Sequence, residues 1–161
     1  MTRAYDFLVF DTKEEYDDVI AFLTASLRTE PDHVIALHNR ATAYDEIGQP
    51  RMALADLDRA VAVGPAPAGA LGRRGLVKAG LGDDAGAVAD YSRAIDLDPR
   101  RAKLFALRSA AFARLGDADR AAADDAQAKA LVASDPMAQE MLRMRDEMRD
   151  RDGRADVERG D

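Results

Sequence analysis

Few residues in this chain have side chains able to act on a substrate, and their spacing excludes most of what they could do. The two histidines, His33 and His38, stand five apart. That places them about 140° apart round a helix, so they cannot grip one metal ion from a shared face. Asp117, Asp119, Asp124 and Asp125 have the composition of a cation loop, but they lack the glycine and terminal glutamate of an EF-hand. Gly80-Leu81-Gly82 falls in a helix–helix turn rather than after a strand, so it is no dinucleotide fingerprint. Arg159-Gly160-Asp161 spells an adhesion tripeptide that a tail of Arg, Asp and Gly produces by chance. There is no cysteine, which removes disulfides, thiolate zinc sites and thiol nucleophiles. No Ser/His/Asp or paired-carboxylate arrangement stands out. The expectation is a chain without catalytic, cofactor or metal site, and therefore not an enzyme.

Composition narrows the class further. In 161 residues, 23 Lys and Arg face 30 Asp and Glu, a net charge of −7. A phosphate backbone attracts a net positive field, so nucleic acid is not the expected partner. No apolar run approaches the ~18 residues of a membrane span, and the N-terminus lacks a basic-then-apolar signal, so a cytoplasmic location is expected. Abundant alanine, no tryptophan and few aromatics favour closely packed helices over sheets.

The elements that must carry any site come in a repeat. Pro31, Pro65 and Pro99 are 34 residues apart, as are Gly48, Gly82 and Gly116. The same step relates Ala53, Ala87 and Ala121, then Ala60, Ala94 and Ala128, then Asp56, Asp90 and Asp124, and the large apolar Leu37, Leu71 and Phe105. Each period reads as two short helices. Leu37, Ala41 and Tyr44 recur at helical spacing until Gly48 stops them as a left-handed cap; Ala53, Leu57 and Ala60 mark the second helix. Asp83 and Asp117 are natural N-caps, Thr12 and Glu15 form a capping box, and Pro50 sits where a missing N–H is harmless. A single hairpin cannot bury its apolar face, so the units must stack into an all-α, α–α superhelix, a solenoid.

The series Leu37-x3-Ala41-x2-Tyr44, Ala53-x3-Leu57-x2-Ala60 and Pro65, with its counterparts in the next two units, resembles the tetratricopeptide repeat. The resemblance covers 34–67, 68–101 and 102–135 as three full repeats. Residues 1–33 read as a degenerate first repeat, in which Phe7 and Phe10 stand where a small residue and a tyrosine are usual. Residues 136–149 read as a C-terminal capping helix and 150–161 as a disordered charged tail.

In this family the first helices line a concave groove that takes a peptide or helix of a partner protein. The register puts His38, Asn39, Thr42, Asp45 and Glu46 in the groove from the second repeat. It adds Arg73 and Leu76 from the third, and Lys103, Leu107 and Arg114 from the fourth. The implied function is a protein–protein interaction module: adaptor, scaffold or chaperone-like holder. The alternative is a stoichiometric inhibitor or immunity-type protein masking a basic partner such as a bacterial toxin. Some relatives clamp an acidic C-terminus through five polar positions. Here Asn39 and Arg73 match two of these, whereas Ala4, Leu8 and Gly69 fill the others, so clamping is not expected.

Three further features carry expectations. Gly69, Gly72, Gly75 and Gly80 crowd one helix, each costing ~0.5–1 kcal/mol relative to alanine; neighbours must hold that helix. Met137, Met141, Met144 and Met148 form a stripe, read first as a buried helix face and otherwise as an adaptable binding face. With Phe7, Phe10 and Met148 exposed at the ends, the oligomeric state is a monomer or a weak end-to-end dimer. Lastly, Arg40, Arg74 and Arg108 repeat at the 34-residue step, each 16 residues before Asp56, Asp90 or Asp124. A charge near a helix seam requires a partner, so a ladder of bidentate ion pairs is predicted, with the arginines excluded from the groove.

Overall fold

The computed structural model describes residues 12–63, 67–137, 139–141 and 143–145. Phe7, Phe10, Ala4, Leu8, Pro65, Met148 and the charged tail lie outside the described residues. Among the described residues seven helices follow one another: α1 Lys13–Thr29, α2 Val34–Glu46, α3 Pro50–Ala62, α4 Ala68–Gly80, α5 Asp84–Leu97, α6 Ala102–Arg114 and α7 Ala118–Ser134. Helical backbone resumes at 136–137, 139–141 and 143–145.

The turns inside the hairpins are set by their glycines. Gly48, Gly82 and Gly116 have φ of 73°, 86° and 81°, a left-handed conformation costly for residues with a Cβ. Each is the C′ residue of a Schellman motif. The Gln49 N–H donates to the Tyr44 carbonyl at 2.8 Å, Asp83 to Lys78 at 2.9 Å and Asp117 to Phe112 at 2.9 Å. The helices that follow are capped as their residues imply: Asp83 accepts from the Gly86 N–H and Asp117 from Arg120, and Pro50 opens α3. Thr12 and Glu15 form the capping box of α1. His33 is not inside a helix; it is the N-cap of α2, its Nδ1 accepting from the Ala36 N–H at 3.1 Å.

The core runs along the seams within and between hairpins. Leu37, Leu57, Leu71 and Tyr91 are its largest fully buried apolar side chains, with Ala41, Ala53, Ala60, Ala87 and Ala94 at the crossings. Alanine there lets the backbones approach while the large residue a turn away fills the gap. Gly75 takes this furthest: a Cβ built on it would lie 2.6 Å from Cε1 of Tyr91. Gly72 presses on Leu104 in the same way, whereas Gly69 and Gly80 face open space.

Arginine–aspartate pairs cross the same seams. Arg40 meets Asp56 through two hydrogen bonds of 2.7 and 2.6 Å, Arg74 meets Asp90 at 2.8 and 2.5 Å, and Arg108 meets Asp124 at 2.7 and 2.8 Å. The remaining guanidinium nitrogen reaches back to the preceding hairpin, to Thr24 at 3.0 Å, Asp58 at 3.0 Å and Ser92 at 2.9 Å. Each arginine therefore ties three helices together. The aromatic rings of Phe105 and Phe112 flank Arg108 at 5.6 and 5.8 Å, so its stem and charge are both accommodated.

Stacking also sets the curvature. The first helices touch one another in order, α2 against α4 and α4 against α6, whereas among the described residues the second helices α3, α5 and α7 do not meet. The inner row is drawn together and the outer row splays. A concave face lined by α2, α4 and α6 results.

Candidate binding groove

The inner face divides into two halves. Between α2 and α4 it is polar and cross-linked. Arg73, in the middle of α4, donates to Asp45 at 3.5 Å and stands 4.0 Å from Glu46, both near the end of α2. His38 lies beside this group, and its buried Nδ1 has no hydrogen-bond partner. Burial, and then the Arg73 charge, hold the His38 pKa below its ordinary value, so the imidazole is neutral at neutral pH. Asn39 and Thr42 are half-buried here, and the Thr42 hydroxyl donates to the His38 carbonyl at 3.0 Å.

Between α4 and α6 the face is small and apolar. Leu76 and Leu107 are half-buried, Ala79 lies between, and Ala106, Ala110 and Gly80 are exposed. Lys103 is exposed and, among the described residues, has no ion-pair partner. Every other Lys or Arg on α2, α4 and α6 has one: Arg40, Arg74 and Arg108 in the seams, Lys78 on Asp90 at 2.8 Å, Arg73 on Asp45, and Arg114 on Asp84 at 2.7 Å.

One expectation needs correction and one needs a structural addition. Arg73 and Arg114, which the register places in the groove, each also bridge neighbouring repeats. Arg114 is drawn to the start of α5 by Asp84, whose own helix end favours a carboxylate. The methionine stripe is not a buried face: Met137, Met141 and Met144 are 74%, 67% and 53% exposed. The structure thus brings together His38, Asp45, Glu46 and Arg73 in one half, and Leu76, Lys103 and Leu107 in the other. Sequence reasoning missed Asp84 and the Thr24, Asp58 and Ser92 row; the latter also follows the 34-residue step. Among the described residues no group of three or more His, Asp or Glu is arranged to hold a metal, and no helix is long and apolar enough to cross a membrane.

Comparison with known proteins agrees with this architecture. Residues 68–101 match the tetratricopeptide repeat family. No curated protein matches the chain significantly. Among solved structures, the crystal structure of MamA superposes with a TM-score of 0.70 at 21% identity, over 87% of this chain and 90% of that one. YrrB, described as a TPR protein with an unusual peptide-binding site, gives 0.69 at 21% identity, over 81% and 68% of the two chains. The second TPR of Spaghetti (RPAP3), bound to the HSP90 peptide SRMEEVD, gives 0.60 at 24% identity, over 66% and 98%. At such identities the likeness is one of fold. With its sequential helix hairpins and 34-residue period the chain has the fold of the tetratricopeptide-repeat solenoids, and residues 68–101 match that family.

Proposed function

We propose that this protein is a non-catalytic adaptor or holder that binds a peptide or helix of a partner protein on the face formed by α2, α4 and α6. The observation that carries this reading is the partition of side chains. The seams use apolar residues and paired charges throughout, while the inner face keeps apolar carbon and the Lys103 charge in water. Surface left uncommitted by folding is where association has most to gain. Structures of the same fold, one bound to a peptide and one described as having a peptide-binding site, support the class of partner.

The test is affinity capture from cell extract with three proteins: the wild type, Ala110→Arg on the inner face and Ala89→Arg on the exposed outer side of α5. A genuine partner is retained by the wild type and by Ala89→Arg and lost with Ala110→Arg. Equal loss with both variants, or retention by both, refutes the groove as the binding surface. The charge-masking inhibitor reading gains nothing from the apolar half of the groove, where Lys103 has no ion-pair partner among the described residues.

A further inference from the structure

Met137, Met141 and Met144 recur at helical spacing, and all three are exposed. The repeat register and one hydrogen bond bear on how the stripe is turned. By the 34-residue step these methionines take the places of Lys103, Leu107 and Ala110, inner-face positions of α6. Gln139 takes the place of Phe105, the residue that α6 turns into the core. The Gln139 side-chain amide donates to the Ala133 carbonyl at the end of α7, which ties this exposed residue to the preceding helix. Residues two before, two after and five after Gln139 lie ~140–160° round the helix from it, away from the core position of the repeat register.

We propose that the methionines extend the concave face by one more helix. The surface from Leu76 on α4 through Leu107 and Ala110 on α6 to the three methionines docks an amphipathic helix of a partner protein, one with an aliphatic stripe flanked by carboxylates. This rests on the groove reading above and names its partner. A helix is favoured over an extended strand because its ~10–12 Å diameter fills the trough between neighbouring helices. Methionine suits it, since the unbranched thioether adapts to the shape of an apolar stripe. The carboxylates follow from Lys103, which borders the apolar half and has no counter-charge among the described residues.

The test uses the full chain, labelled with ¹³C at the methionine methyls, and two designed 18-residue helical peptides. One carries leucine at a and d positions with flanking glutamates; the other has lysine in place of each glutamate. The glutamate peptide should shift Met137, Met141 and Met144 and leave Met52, half exposed on α3, unmoved. Met141→Glu should raise the dissociation constant at least tenfold, and Lys103→Glu should reverse the preference to the lysine peptide. Both positions are exposed, so the thermal melt should be unchanged. Saturable binding of the glutamate peptide with Met137, Met141 and Met144 unshifted would leave the groove reading intact and overturn the methionine extension. An equal shift of Met52 would overturn both. Methionine shifts on dilution without peptide would make a second copy the occupant and overturn the partner assigned here.

Discussion

Arg73 and Arg74 are consecutive, carry the same side chain on the same helix, and do opposite things. Arg74 is turned into the seam, where its side chain keeps 13% of its exposure and contacts Asp90 and Asp58 at 2.5–3.0 Å. Arg73 is one step, ~100°, round the helix on the inner face, twice as exposed at 26%, and its carboxylates lie at 3.5–4.0 Å. Short, bidentate, desolvated contacts lock a geometry; long, hydrated ones leave a charge able to exchange partners. The seam and the groove therefore differ in how far their polar groups are committed rather than in composition.

Breaking each arginine separately gives the widest contrast. Arg74→Ala strands a carboxylate that is 2% exposed, with Lys78 left to compensate in part, and should cost about 2–3 kcal/mol in urea unfolding. Arg73→Ala should cost less than about 1 kcal/mol, because its pairs are longer and wetter. Comparable losses from the two would erase the distinction.

Glycines of the same helix extend the contrast from charge to packing. Gly75→Ala forces a methyl against the ring of Tyr91 and should destabilise by about 1–3 kcal/mol.

Acid should loosen the seam before the groove. Burial by itself would raise the Asp90 pKa, but hydrogen bonds from Arg74 and Lys78 outweigh it and hold the carboxyl below its ordinary value. A depressed folded pKa gives stability that is present above the unfolded pKa and lost as pH falls through the folded one. Thermal melts across the acid range should therefore decline more steeply for the wild type than for Asp90→Asn. Parallel declines would place the acid sensitivity elsewhere. At the other extreme, burial pushes the Tyr91 phenol up to about 12, so its contribution is full below pH ~10 and lost as pH rises through 12. The smallest effect has the opposite sign: Gly69→Ala or Gly80→Ala meets only open space and should stabilise by ~0.5–1 kcal/mol in the same urea assay.

The sequence showed those features that depend on residue identity at a fixed step. Close helix crossings demand Ala or Gly at Ala41, Gly75, Ala53 and Ala87, so the period and the solenoid were legible. A seam charge demands a partner, so the pairs of Arg40, Arg74 and Arg108 were legible too. The third tie of each arginine was hidden because Thr24, Asp58 and Ser92 share hydrogen-bonding capacity but not identity. The bridges from Arg73 to Asp45 and from Arg114 to Asp84 span 28 and 30 residues, off the period, and depend on how one hairpin rotates against the next. The methionine stripe was readable in register as either buried or groove-facing. The exposure of Met137, Met141 and Met144, invisible in the sequence, is what rules out the buried face.

Hydrogen–deuterium exchange of the complex with the glutamate peptide tests the division between committed seam and open groove most directly. Binding on the concave face slows exchange in α4, α6 and residues 136–145 and leaves α3 and the exposed side of α5 at their free rates. Protection concentrated in α3, α5 and α7, with α4 and α6 unchanged, would contradict it.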